Sequence, residues 1–183
     1  MSAGAYHSSE SLEWYTPKWL VEKVRDVLGN IDLDPCSCIE AQKSVLADVL
    51  YDKERDGLSQ DWPGKVFMNP PGGWAEPSMA DKWGSRSSAQ CWYNKLLDQY
   101  KNGITTHAIV LCFNLDTLRA LQSKNSICIL AKRVKFNRIV NGEIVPGNSP
   151  AHGTGLILLS NSGEFKKRWI KVMSDVGTCY EAA

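Results

Sequence analysis

The chain has 183 residues, enough for one domain with a full core. Its 43% hydrophobic and 22% charged content excludes a disordered chain, and no apolar run approaches the length of a membrane span. A formal net charge of +1 excludes a global field as the means of holding nucleic acid, so any such contact must come from local basic clusters.

The start of the chain, Met1 to Glu10, is small and polar and lacks a basic-then-apolar export signal, which predicts a cytoplasmic protein. Ser8 to Tyr15 reads as an arm leading into a helix. Thr16-Pro17 is a helix start, because Thr can cap and Pro at the first helical position loses no bond. Leu20, Val24, Val27 and Leu28 recur at helical spacing and Gly29 supplies a left-handed stop, which predicts a helix over 17–28. Ile31 and Leu33 predict a short strand that Pro35 ends, leaving Asp34 at its carboxyl edge; the same residues would also make an Asp-Pro turn capping the next helix. A helix over 40–47, a strand over 49–51 and a charged loop ending in Asp56-Gly57 follow.

Trp62-Pro63-Gly64 is a turn, and Lys65–Met68 a buried strand that delivers Asn69. The strand cannot continue through Pro70-Pro71, since neither has an N–H for the ladder, so Asn69 stands at its carboxyl edge, where ligands bind in open α/β sheets. An Asn side-chain oxygen beside a proline carbonyl makes two acceptors in a stiff frame, suited to holding both hydrogens of an amino group. A plain Pro-Gly turn after a core strand would use the same residues. Glu76–Gln90, rich in Ser, Gly and Ala, reads as a mobile loop with at most a turn of helix. Cys91–Lys101 reads as a helix, with Trp92, Leu96 and Tyr100 four apart.

His107–Phe113 is a near-continuous apolar run, a central strand apolar on both faces. Just past it, Asn114 is a weak site candidate, Asp116 a helix cap and Thr117–Ser123 a short helix. Ile127–Leu130 is another strand. Lys132, Arg133, Lys135 and Arg138 then alternate with apolar residues, as candidate phosphate contacts or a solvated strand face. Asn141-Gly142 marks a hairpin turn between 138–140 and 143–145, followed by a loop over Pro146–Pro150. Gly155–Ser160 is a last strand, Glu164–Met173 a last helix, and the tail from Ser174 is expected to fray. The six cysteines form no CxxC pair and the three histidines lie far from them, so no metal site is expected; Cys112 and Cys128 read as buried thiols. Strands alternating with helices, with a late hairpin, predict an α/β domain with a mixed sheet spanning 1–183.

Four motifs occur in order: Trp14-Tyr15-Thr16-Pro17; Leu33-Asp34-Pro35-Cys36-Ser37; Asp56-Gly57-Leu58 with Trp62; and Asn69-Pro70-Pro71-Gly72-Gly73. Together, over residues 13–75 with weaker echoes near Arg133–Phe136, they resemble the phage-type Dam-like DNA N-6-adenine methyltransferases. The resemblance implies a trimmed class I S-adenosylmethionine-dependent methyltransferase fold, Rossmann-like, with double-stranded DNA as partner and the bacterial host cytoplasm as location. It implies that Trp14, Thr16 and Pro17 lie against the cofactor's methionine part. Asp34, Pro35, Cys36 and Ser37 match the first cofactor motif, and Asp56 an acidic position that can reach the cofactor's adenine amine. Asn69, Pro70 and Pro71 match the catalytic (D/N)PP(Y/F/W) motif.

The chain departs from that pattern at three places. Cys36-Ser37-Cys38 replaces the glycines of the first motif, only 35 residues separate Asp34 from Asn69, and Gly72 stands where an aromatic is usual. The short spacing predicts a trimmed sheet. The missing aromatic makes Trp74 the candidate stacking face for a target base, with Trp83 second; either would otherwise be packing. A methyltransferase acting on RNA adenine or a protein amide, and a non-catalytic DNA-binding relative, are the alternatives.

Overall fold

A computed structural model describes residues 14–113, 125–140, 143–147 and 153–181. Asn114, Asp116, the helix expected over Thr117–Ser123, the Asn141-Gly142 turn, and parts of the expected arm and of the loop after Pro146 lie outside the described residues.

Helix α1 (Lys18–Leu28) buries Leu20, Val21, Val24, Val27 and Leu28 along one stripe, and the Gly29 N–H closes it on the Arg25 carbonyl at 2.7 Å. Pro17, not Thr16, holds the position before the first helical residue, and no side chain caps the helix. Strand β1 (Leu33–Asp34) leads through α2 (Ile39–Val45) to β2 (Val49–Leu50), which pairs parallel to β1. The chain then returns to the other side of β1 as β3 (Gly64–Met68), with Leu33 opposite Val66.

Beyond β3, α3 (Pro77–Trp83) and α4 (Ser88–Lys101) precede β4 (Thr105–Cys112), parallel to β3. Strands β5 (Ser126–Leu130), β6 (Asn137–Val140), β7 (Glu143–Pro146) and β8 (Gly155–Leu159) come next, then α5 (Gly163–Met173) and β9 (Gly177–Tyr180). The sheet order is β2-β1-β3-β4-β8-β5-β9, parallel through β4 and antiparallel from β8 on, and β6–β7 form a separate hairpin.

Alternate residues of the central strands feed two cores, as the strand period of two requires. Phe67, Ile109, Leu111, Leu156 and Leu158 pack with α1 and α5, including Trp169 and Met173. Val66, Met68, Val110, Ile157 and Leu159 pack against Trp62 and, from α4, Trp92, Tyr93 and Leu96. Strand β4 is buried from Ala108 through Cys112, so the central strand is apolar on both faces as expected, and Cys112 and Cys128 are buried thiols.

Two expectations are corrected. The stretch 76–90 carries α3 and the first turn of α4. Its start and stop signals are Pro77 at the first helical turn, left-handed Gly84, and the Ser87 hydroxyl accepting from the Gln90 N–H. The tail does not fray at Ser174: β9 adds to the sheet edge, with Cys179 opposite Cys128. A Cβ at Gly177 would stand 2.3 Å from the Ile129 carbonyl oxygen, so a glycine lets β9 close on β5.

Candidate functional site

From β1 the chain goes outward to β2, and from β2 it crosses back to β3. The β1–β3 boundary is therefore where the winding reverses, and open α/β sheets bind ligands outside the carboxyl ends of strands at that point. Asp34 ends β1 and Asn69 directly follows β3. Both line a cavity of about 570 Å³, together with Trp14, Thr16, Pro35, Cys36, Ser37, Asp56, Pro70, Pro71 and Gly72. Four stretches far apart in sequence thus share one wall. Pro17 and Trp74 are not among the lining residues.

Asp34 is 3% exposed. Burial pushes its carboxyl up to about 6, against hydrogen bonds from Ser37 and the Cys36 N–H that favour the charged form. Its contacts to Cys36 N, at 3.4 Å, and Gln42 Nε2, at 3.5 Å, are long. The carboxylate is thus dry and weakly satisfied, with acceptor capacity for a ligand. Gln42, to which no sequence motif points, braces this loop: its Nε2 donates to Ser37 Oγ at 2.8 Å, and its Oε1 accepts from Ala47 N at 2.8 Å. Nothing in the spacing of α2 singles it out.

Asp56 lies in the left-handed region at φ 44° and its Oδ1 accepts from Leu58 N at 3.3 Å, a self-closed turn. The turn is held from below by Trp62 Nε1 on the Gly57 carbonyl (2.7 Å) and by Lys95 Nζ on the Leu58 carbonyl (3.0 Å). Lys95 is buried over the rings of Trp62 and Trp83, and burial lowers its pKa. A Cβ at Gly57 would stand 2.0 Å from the Pro35 carbonyl oxygen and 3.2 Å from Trp92. Only glycine lets the Asp56 loop rest on the Asp34 loop. Gly57→Ala is expected to cost about 1–3 kcal/mol of stability by overpacking. Gly72→Ala, with nothing within 4 Å of its added carbon, is the control and should stay within about 0.5 kcal/mol in urea denaturation.

Asn69 is half-buried, and its Nδ2 donates to the Trp14 carbonyl at 2.8 Å. A carbonyl can only accept, so the amide orientation is set: nitrogen to Trp14, Oδ1 left as its acceptor. An aspartate here would face that carbonyl with a second acceptor, which accounts for the amide. The Cys36 thiol donates to the Asn69 main-chain carbonyl at 3.2 Å, tying the two strand ends together.

Tyr15 exchanges two main-chain bonds with Asn137, at 2.9 and 2.8 Å, which joins this corner to the hairpin. Lys132, Arg133, Lys135 and Arg138 are exposed, while Val134 and Phe136 between them are buried. Phe136 lines the cavity and packs edge-on to Phe113 at 5.3 Å, so the basic stretch is anchored beside the cavity. Tyr15 and Phe136, from the resembling stretches, are wall residues as well, and so are Trp92 and Phe113, which read in the sequence only as core.

Trp74 is 84% exposed and does not fold over the cavity. Gly73 at φ 84° turns the chain outward, and Ser88 N–H···O=C Gly73 (3.0 Å) and Ala75 N–H···O=C Arg86 (2.8 Å) fix it there. Trp83 packs half-buried against the α4 side of the sheet.

Among the described residues no group of three or more His, Cys, Asp or Glu is placed to hold a metal ion, and no helix is long and apolar enough to cross a membrane. No protein-family model and no curated protein matches the chain.

Proposed function

We propose that the chain is a DNA adenine-N6 methyltransferase that uses S-adenosylmethionine. The observation that carries this is the meeting of Asp34 and Asn69, from adjacent strand ends, in one cavity at the winding reversal, with the Asn69 amide oriented by Trp14. The ordered resemblance of the same segments to the Dam-like enzymes supports it.

The residues fit the cofactor. The cavity volume falls in the range of small-molecule sites, about 300–1,000 Å³, and its walls combine aromatic and other apolar side chains with polar groups such as Asp34, Ser37, Asp56 and Asn69. Asp34, a dry carboxylate with unfilled acceptor capacity, suits an ammonium or hydroxyl group. Asp34, Cys36, Ser37, Thr16 and Asp56 would hold the cofactor. When bound, S-adenosylmethionine supplies an electrophilic methyl group.

The chain's own part is to prepare the acceptor. The N6 amine of adenine is a poor nucleophile because its lone pair is delocalised into the ring. Asn69 Oδ1 and the Pro70 carbonyl accept its two N–H bonds, which favours a tetrahedral nitrogen and stabilises the positive charge that develops on it. The proton leaves to water afterwards, so no strong base is needed. In a duplex the amine is inside the stack, so the base must be extruded into the cavity. Lys132, Arg133, Lys135 and Arg138 contact phosphates beside its mouth.

The test is to incubate the protein with S-adenosylmethionine and duplex DNA, RNA or protein acceptors and assay the products by mass spectrometry. N6-methyladenine in DNA is the expected product. Methylation of RNA or protein alone would replace the substrate, and cofactor binding by calorimetry without transfer to any acceptor would overturn the catalytic role. Expression in a methylation-deficient bacterium, with single-molecule sequencing, then locates the target sites.

A further inference from the structure

An indole in water is costly, and Trp74 is the most exposed of the large apolar side chains among the described residues. It is not on a loose loop. The residues on either side of it are each bonded to the 86–88 segment, and Trp74 itself bridges to Ser87. That segment continues into α4, whose Cys91, Trp92, Tyr93 and Leu96 are buried in the core. The indole therefore sits on a frame tied to the body of the protein. It follows Gly72, a residue of the cavity wall, by two positions, yet lies outside the cavity.

We infer that Trp74 is a wedge that enters the DNA duplex in the space left by the extruded adenine. This rests on the proposed function. An adenine drawn into the cavity leaves a gap in the stack, and an apolar side chain inserted between base steps fills such a gap and opposes re-entry of the base. An indole carried on tied backbone at the rim has the shape, the exposure and the position for that task. An indole that stacked on the adenine itself would have to line the cavity, which Trp74 does not.

A wedge acts on unpairing and not on chemistry, so its removal should matter only where pairing must be broken. The test compares two duplexes carrying a mapped target site, one fully paired and one with an abasic site opposite the target adenine. On the paired duplex Trp74→Ala should lose at least about tenfold in kcat/KM, in line with the loss of one base–aromatic stack. On the abasic-opposed duplex the loss should be under about threefold, since the base there is already unpaired. Trp74→Phe should recover most of the activity on the paired duplex, and S-adenosylmethionine affinity should be unchanged in both variants. Equal losses on the two duplexes, or none on the paired one, overturn the wedge and leave the methyltransferase standing. Failure of the wild-type protein to methylate either duplex overturns the proposed function, and the wedge with it.

Discussion

Asn69→Ala is expected to lower methyl transfer by about 10³-fold or more while S-adenosylmethionine affinity stays within about twofold, because the side chain holds the acceptor amine and not the cofactor. The split is sharp because Asn69 Nδ2 is already committed to the Trp14 carbonyl, so only Oδ1 is lost to the substrate. Removing the tie also costs about 1 kcal/mol of stability, a small loss since the Trp14 carbonyl can turn to water. Asn69→Asp separates the two roles further. It keeps an acceptor for the amine but sets a carboxylate oxygen against the Trp14 carbonyl, so it should retain partial activity with a lower melting temperature. The measurements are single-turnover methylation at saturating DNA, calorimetric cofactor binding, and thermal melting of each variant. Near-normal turnover of Asn69→Ala would remove Asn69 from the mechanism.

Asp34 gives the second large effect, and it depends on pH. Its carboxyl titrates near 6 in the folded chain against 3.8 for an ordinary aspartate, because burial disfavours the charge. An ionised Asp34 makes the stronger bond to an ammonium or hydroxyl, so cofactor affinity should fall about tenfold per pH unit below 6 and level off above it. Asp34→Asn should abolish that dependence and bind about 10- to 100-fold more weakly at pH 8, the worth of a hydrogen bond to a charged group.

Stability should move the other way. Between pH 3.8 and 6 the folded chain holds a proton that the unfolded chain has released, so stability from this group falls as pH rises through that window. Above it, the buried charge costs on the order of 3 kcal/mol. Asp34→Asn should therefore melt higher than wild type at pH 8 and converge with it near pH 4. A variant less stable than wild type at pH 8, with unchanged cofactor affinity, would make Asp34 a turn residue only.

Much of this chain's layout is written locally. Helix α1 follows from apolar residues at helical spacing closed by Gly29, and β4 from an apolar run too short for a buried helix. Pro35 and Pro70 end β1 and β3, because a residue without an N–H cannot extend a ladder. That alone puts Asp34 and Asn69 at carboxyl edges. The Asn69 and Asp34 positions were thus legible one at a time. Even α3 carries its signals in Pro77 and Gly84, although the small polar residues around them read as loop.

What joins the pieces depends on contacts between residues distant in sequence. The sheet order brings β1 beside β3 and so makes two strand ends into one cavity; no periodicity within either segment encodes that neighbour. Gly57 looks like a turn glycine until the Pro35 carbonyl is set against it. Strand β9 is four residues, too short for its alternation to stand out in the sequence, and it exists because β5 offers an edge to pair with. Gln42 matters only because α2 folds back over Ser37 and Asp34. Trp74 shows the same limit from the other side. Its nearness to Asn69 in sequence suggests a lid on the cavity, but main-chain bonds to Arg86 and Ser88 turn the indole out to solvent. Local patterns specify which backbone groups can pair, whereas the partners they find are chosen by burial of the two sheet faces, a property of the whole chain.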